Sequence, residues 1–580
     1  MSLATRLFIF FGAVLLAACR AYVVVPAEMI ADHVFVNGGV YTVDPKQPWA
    51  EAVALVDGRI AMVGNNRDIR TLIGPKTQIT DLSGRMLLPS FGDSHLHLLY
   101  GGEVVSSCLL SWAEQPDEIA RLLRACAEHD EGNSESWIFA TRWARWSFAD
   151  GNPPAEFLNQ LFPNRPVVVE ASDGHSFWVN QAALERAGID DGTPNPEDGL
   201  IARDPVTGRA TGLMHESAIQ LITARMPTVT DRDRLKFIRK AVAMAHEFGI
   251  TAAIEPGLNL RQAKLFAALD DAGELNMRLL LALTPLGWKI AAFDERIYAT
   301  TARRAEAESE RVAAHSVKVF VDGVIENGTA PLLEPYNDES VQSLDLFFPA
   351  DKLQAYFIGL DRRGISIHVH AIGDRGIKQA LDAFAGMRRA NGMSDNRHLM
   401  THLQLIDEID IPRFQRLNII ASFATLWAYP EEYNLEIYPP LIGKERVERF
   451  YPVASVADTG ARIAIGSDWS VEDMNPFLAI EVALTRQDPI TDSGPVLNSN
   501  ERIDLASVLE AYTKNVAYAM KLEDQIGSIE PDKFADLVVL DRNLFTIPVE
   551  QISHTQVLMT LFSGRQVFVR GLAKREFQAR

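Results

Sequence analysis

Between Gly249 and Thr485 the chain alternates short apolar runs with stretches whose apolar residues recur at helical spacing. The apolar runs fall at residues 249–254, 278–283, 317–321, 365–369, 419–421 and 463–465; the helical patterns fall at 232–248, 260–272, 378–389 and 476–485. A run that is apolar throughout fits a strand buried on both faces, and parallel strands need a crossover helix between them. The alternation therefore predicts an α/β fold built on a (β/α)8 TIM-like barrel.

A further apolar run, Met86-Leu87-Leu88, leads into Phe91-Gly92-Asp93-Ser94-His95-Leu96-His97. Residues two apart on a strand face the same side, so His95 and His97 share a face, with Asp93 beside them. Two imidazoles on one face at a strand end can share a metal ion. Taken alone, the pair fits a polar strand end as well. Its weight comes from the other strands. Lys318 lies inside Val317-Lys318-Val319-Phe320-Val321, where an ammonium is costly to bury without a partner such as Asp322 or Glu326. His370 ends the run His368-Val369-His370, and His368 faces the same way and competes for its role. His402 follows Leu399-Met400-Thr401, and Asp468 follows Ile465-Gly466-Ser467. Each fits a satisfied core polar group. Four of them on separate strands, in order after a His-x-His pair, point to one site.

The chain ends carry strands of another kind. Residues 33–37, 38–43, 52–56 and 59–63 read as strands, and Asp57-Gly58 is a favoured two-residue hairpin turn. Residues 535–540, 556–562 and 566–569 repeat the pattern around Ser563-Gly564-Arg565. Neither set buries a core alone. One small composite β-sandwich, from residues 19–88 and 522–580, is the expected arrangement, with the barrel at 89–521 inserted into it. Residues 98–248 are far too long for a βα connection, so they must carry their own structure. This insertion holds Trp112, Trp137, Trp143, Trp146 and Trp178, leaves the C-terminal face of the barrel, and is expected to cover the active site.

The first residues read as an export signal. Arg6 precedes an apolar stretch, and Leu16-Ala17-Ala18-Cys19 resembles the bacterial lipobox. Residues 1–18 are then removed and Cys19 is lipidated. With Arg20 following, the resemblance places the chain on the outer membrane facing the periplasm, anchored to the membrane surface without spanning it. A plain secretory signal is the alternative. Cys108 and Cys126 match no metal-ligand spacing; an oxidising compartment permits a disulfide, but buried free thiols are the expectation. The formal net charge of −20 argues against a general nucleic-acid binder.

Beyond the single residues there are motifs: Leu88-Pro89-Ser90-Phe91-Gly92-Asp93-Ser94-His95-Leu96-His97; Gly174-His175-Ser176-Phe177-Trp178-Val179-Asn180 with Ala183-Leu184; and Thr211-Gly212-Leu213-Met214-His215-Glu216. Val317-Lys318, His370-Ala371-Ile372-Gly373-Asp374, His402 and Gly466-Ser467-Asp468 follow, and Ile526 to Val538 leads back to the sandwich. Together these resemble the metal-dependent amidohydrolase superfamily, in amidohydrolase family 3, the branch that includes N-substituted formamide deformylases. Two departures stand out. Pro89-Ser90-Phe91-Gly92 replaces the frequent Pro-Gly-Phe-Ile, and Thr401 stands where an acidic residue is common.

The resemblance implies a binuclear hydrolase. His95 and His97 would hold the more buried ion, and His370 and His402 the second. Carboxylated Lys318 would bridge two Zn²⁺ ions, and Asp468 would contact their shared water. The implied reaction is hydrolysis of an amide-type C–N bond in a small N-substituted formamide or N-acyl amide, with Asp468 passing a proton to the leaving nitrogen. His175 and Glu216 match family positions and Trp178 lies in the same insertion signature; all three are expected near the substrate. A homodimer is an assembly open to such a chain. The alternatives are a cyclic-amide hydrolase, an esterase, a deaminase, or a catalytically silent binding lipoprotein. Lys318 argues against the deaminase, because deaminases of this superfamily usually lack it.

Overall fold

The computed structural model describes residues 30–571, apart from 111–112, 114, 130–135, 144–146, 149–152, 172–175, 197–198, 205, 285–295, 327, 338–344 and 492. An eight-stranded sheet forms its centre. In chain order its strands are Phe91–Asp93, Ile250–Leu258, Arg278–Leu283, Val312–Phe320, Ser366–Ala371, Leu399–His402, Ile420–Phe423 and Ile463–Ile465. All neighbours pair in parallel. The first and last strands meet through Ser94 N donating to Ile465 O (3.0 Å) and Asp468 N donating to His95 O (2.8 Å), which closes the barrel. The expected TIM-like barrel is therefore present.

Physical pattern and position agree closely here. The helices expected at residues 232–248, 260–272 and 476–485 are Asp231–Glu247, Leu260–Asp271 and Pro476–Thr485. Asn259 starts the second with a capping box shared with Gln262, which satisfies two otherwise orphaned amides. The helices bury their apolar faces on the outside of the barrel. At its floor, Ala252, Leu280, Leu399, Ile420 and Ala464 pack with Val516, Ala517 and Met520. The opposite, C-terminal ends of the strands lead into His95, His402 and Asp468.

Two further sheets come from both ends of the chain. One is four-stranded and holds His33–Val36, Ala52–Val56, Arg59–Gly64 and Gln78–Asp81. The other is six-stranded and interleaves Gly39–Tyr41, Trp49–Ala50 and Met86–Pro89 with Leu537–Leu540, Val557–Phe562 and Arg565–Val569. Phe35, Val53, Leu55 and Ile60 pack in one core with Leu87, Leu537, Val539 and Leu561. The hairpin turns at Asp57-Gly58 and Ser563-Gly564 all carry positive φ, as a primed turn requires. These two tips meet: a Cβ on Gly58 would lie 2.6 Å from Ser563 O, so the contact excludes any side chain there.

The insertion has its own six-stranded sheet, from Cys108–Leu109 to Ala210–Glu216. Trp143, Trp178, Val167 and Leu158 fill one face; Phe177, Val168, Met214 and Ile222 fill the other. Helix Asp231–Glu247 then returns to the barrel, with Ile238, Ala241 and Ala245 in the main core. Free thiols at Cys108 and Cys126 are corrected: the two form a disulfide with Cα atoms 5.6 Å apart. Helix Pro116–His129 packs back against strand Cys108–Leu109, which brings them within bonding reach. No helix among the described residues is long and apolar enough to cross a membrane. The signal sequence and Cys19 lie outside the described residues.

Candidate metal centre

His95 and His97 follow the first barrel strand rather than sit in it. They still face the same way, because the strand-like pairing continues past its formal end: His97 N donates to Trp469 O (2.8 Å) and Leu96 N to Ile254 O (3.1 Å). Both Nε2 atoms reach the same carboxylate oxygen, Asp468 Oδ1, at 3.4 Å from His95 and 3.1 Å from His97. His402, at the end of the sixth strand, turns Nδ1 toward Asp468 Oδ2 at 3.6 Å. Nitrogen and oxygen atoms from His95, His402 and Asp468 all lie within 4.8 Å of one another.

Lys318 stands on the fourth strand with Nζ 3.3 Å from His95 Nε2 and 5.0 Å from the centre of the Phe320 ring. Neither suggested acid is its partner. Asp322 instead accepts from Ile372 N and Gly373 N, at 3.1 and 2.8 Å, and Glu326 accepts from Tyr438 Oη at 3.2 Å. Burial drives the Lys318 amine down to about 7, against the opposing pull of Asp468. Burial also pushes His370 down to about 3, and His95, His368 and His402 well below the ordinary imidazole range, with Lys318 lowering each further. The imidazoles are therefore neutral and carry lone pairs.

His370 donates from Nε2 to Gly323 O (3.1 Å), which leaves Nδ1 as its acceptor nitrogen; its ring lies 4.4 Å from that of His402. Asp93 lies beneath the centre. It accepts from His95 N (2.9 Å) and Ser467 N (3.1 Å), so one carboxylate ties the segment of His95 and His97 to that of Asp468. Its burial pushes it up to about 7. Gly466 allows this approach: a Cβ there would lie 2.6 Å from His95 N and 3.0 Å from Asp93 Oδ1. His402 (φ 76°) and Asp468 (φ 54°) both adopt left-handed backbone, a cost that the surrounding fold imposes at functional positions.

Do these residues fit a cation? His402 Nδ1 is buried and has no hydrogen-bond partner. Such an orphan in a cluster of neutral imidazoles and a carboxylate is the donor set of a divalent metal site. The fit is good.

The other sequence-derived residues fare differently. Trp178 does not line the site. It is fully buried in the insertion among Trp143, Phe148 and Phe157, with ring centres at 5.9, 5.2 and 5.6 Å. An aromatic residue serves a core as readily as a pocket, and here the core claims it. His175 lies outside the described residues; Glu216 ends strand Ala210–Glu216 opposite Gly199, and its side chain also lies outside them. Two residues come in that sequence alone left out or left open. Trp427, half-buried just past the seventh strand, stacks on His402 with ring centres 5.8 Å apart and planes at 5°. His368 contacts His95 Nδ1 through Nε2 at 2.7 Å. The His-x-His spacing on the fifth strand signalled His368; nothing in the motifs signalled Trp427.

Residues 78–568 match the sequence profile of the amidohydrolase family. The chain belongs to the amidohydrolase family. The putative amidohydrolase YtcJ of Bacillus subtilis is 26% identical over 543 residues, covering 92% of this chain and 98% of that one. N-substituted formamide deformylase of Arthrobacter pascens is 25% identical over 553 residues, covering 92% and 97%. Protein LONG AFTER FAR-RED 3 of Arabidopsis thaliana is 29% identical over 559 residues, covering 94% and 92%. Among solved structures, a metal-dependent hydrolase of Pyrococcus horikoshii OT3 matches with a TM-score of 0.71 at 21% identity, covering 89% of this chain and 99% of that one. This amidohydrolase thus shares its barrel with metal-dependent hydrolases, and its own centre has the donors that such a hydrolase needs.

Proposed function

We propose that this amidohydrolase cleaves the amide C–N bond of small N-formyl or N-acyl amines, giving a carboxylic acid and a free amine. The observation that carries the reading is the convergence of His95, His97 and His402 on the Asp468 carboxylate, with Lys318 beside them. His95, His97, His370 and His402 would hold Zn²⁺, with Lys318 converted to a carbamate that bridges two ions. Support for the carbamate is an amine pushed down to about 7 in a buried site, because only a neutral amine adds to CO₂. A divalent cation supplies electrophilic pull on the carbonyl and acidifies the attacking water.

The chain's own residues do the rest. Asp468 takes the proton released by the attacking water and delivers it to the leaving nitrogen, so atoms and charge balance over the cycle. Asp93 keeps the segments of His95 and Ser467 in register. Trp427 walls the site beside His402 and takes an apolar or aromatic substituent of the substrate. The relative named N-substituted formamide deformylase supports the choice of substrate class. A screen of N-formyl, N-acyl and cyclic amides and esters with zinc-loaded protein tests it. Turnover of esters or cyclic amides alone contradicts it.

The location we infer is the outer membrane, reached by export and held by lipidated Cys19. The Cys108–Cys126 disulfide supports an oxidising compartment. Labelling with a palmitate analogue tests the anchor: Cys19→Ala should abolish it, and equal labelling of both proteins contradicts it.

A further inference from the structure

The contact between His95 and His368 has no assigned purpose. Both rings are buried, at 2% and 1% exposure, and Nδ1 of His95 lies 2.7 Å from Nε2 of His368. The contact joins the segment after the first strand to the middle of the fifth, across a ring-centre distance of 4.8 Å. Lys318 and His368 are register partners on adjacent strands, so His95 touches two neighbouring side chains of the inner wall, one with each nitrogen.

We propose that His368 is the positioning residue for His95, accepting the Nδ1 proton and fixing the tautomer whose Nε2 lone pair faces the cation site. Three observations carry this. Two ring nitrogens 2.7 Å apart share one proton, so one ring donates and the other accepts. The far nitrogen of His95, Nε2, faces the Lys318 amine, a donor, at 3.3 Å, and lies on the side of the ring turned to Asp468, at 3.4 Å from Oδ1; its use there is as a lone pair. That leaves the proton on Nδ1, and His368 Nε2 must then accept it. His370 shows the same design in a second form. Its Nε2 proton goes to Gly323 O at 3.1 Å, which leaves the other nitrogen free. In both rings one contact fixes the proton on one nitrogen and leaves the other nitrogen its lone pair. His368 itself is not a ligand in this arrangement, because its Nε2 lone pair is occupied.

This rests on the reading that His95 holds a cation. The test is Zn²⁺ affinity of metal-stripped protein, measured by competition with a chelator, together with the visible spectrum of the Co²⁺-loaded protein. His368→Gln keeps an acceptor oxygen near the Nε2 position and should bind within about threefold of wild type with an unchanged Co²⁺ spectrum. His368→Phe fills the space but accepts nothing; it should bind roughly 10–100-fold more weakly with a shifted spectrum. If the Phe variant does not fold, His368→Asn, whose amide stops short of His95, takes its place with the same expectation. A Phe or Asn variant that binds as tightly as wild type overturns the proposal, and so does a Gln variant as weak as Phe. Wild-type protein that binds no Zn²⁺ removes the underlying cation reading instead, so the two failures are distinct.

Discussion

His402 turns a buried, unpaired Nδ1 toward Asp468 Oδ2 across 3.6 Å. That distance is too long for a hydrogen bond and suits two donors that flank a third atom. Both residues hold left-handed backbone to keep it, at φ 76° and 54°. A nitrogen left without a partner in a buried site is costly, so the arrangement is built for something that binds there.

Asp468 is the proposed proton carrier. Asp468→Asn keeps the shape but cannot accept a proton. Hydrolysis should fall by roughly 10²–10⁴-fold while most bound zinc remains. Steady-state rates and metal analysis on the same preparation check both halves. Turnover near the wild-type rate rules the role out.

Lys318 should be indispensable for metal loading. Lys318→Ala should lose at least one ion and nearly all activity, and added acetate or propionate should restore part of both by filling the vacated bridge. The sign with pH follows from the amine. Its acidity is raised so that protonation sets in near pH 7, and the protonated form cannot become a carbamate. Reloading of stripped protein with CO₂ and zinc should therefore fail progressively as pH drops below about 7. Loading that is flat from pH 8 to pH 5 would contradict it.

Two tryptophans should separate cleanly. Trp427→Ala should raise KM for aromatic N-substituents by roughly tenfold and leave metal content unchanged. Trp178→Ala, in the packed core of the insertion, should destabilise the fold by about 3–5 kcal/mol without a selective change in substrate preference. Thermal melts and a substrate panel on both variants decide this.

Glu255 supplies a pH-dependent stability. It accepts from Leu98 N and, at 3.5 Å, from Leu99 N at the start of helix Leu98–Val104, and burial pushes it up to about 8. Its folded value lies above its unfolded one, so the folded state holds the extra proton. The stabilisation is present below the unfolded value of about 4.5 and fades as pH rises through about 8. Apparent melting temperatures of metal-stripped protein should fall over that window. Glu255→Gln should flatten the fall and raise the melting temperature at pH 8.

The barrel was legible because strands such as Arg278–Leu283, apolar from Leu279 onward, and Ile463–Ile465 carry continuous apolar runs, a pattern set by burial on both faces. His95, His97, Lys318, His402 and Asp468 were legible because they interrupt or end such runs. Other features depend on geometry that a linear sequence does not encode. The Cys108–Cys126 bond depends on how helix Pro116–His129 docks. The stacking of Trp427 on His402 depends on the path of a loop. Trp178 was misplaced because a large aromatic side chain has the same character in a core as in a pocket.

In the proposed reaction a cation held by this centre drives amide hydrolysis. Purified protein is stripped with a chelator, and Zn²⁺ is returned stepwise while hydrolysis of an N-formyl amine is followed. Activity should vanish on stripping and return with added metal, levelling off at about two ions per chain. A metal-free protein that turns over substrate at its full rate would contradict it.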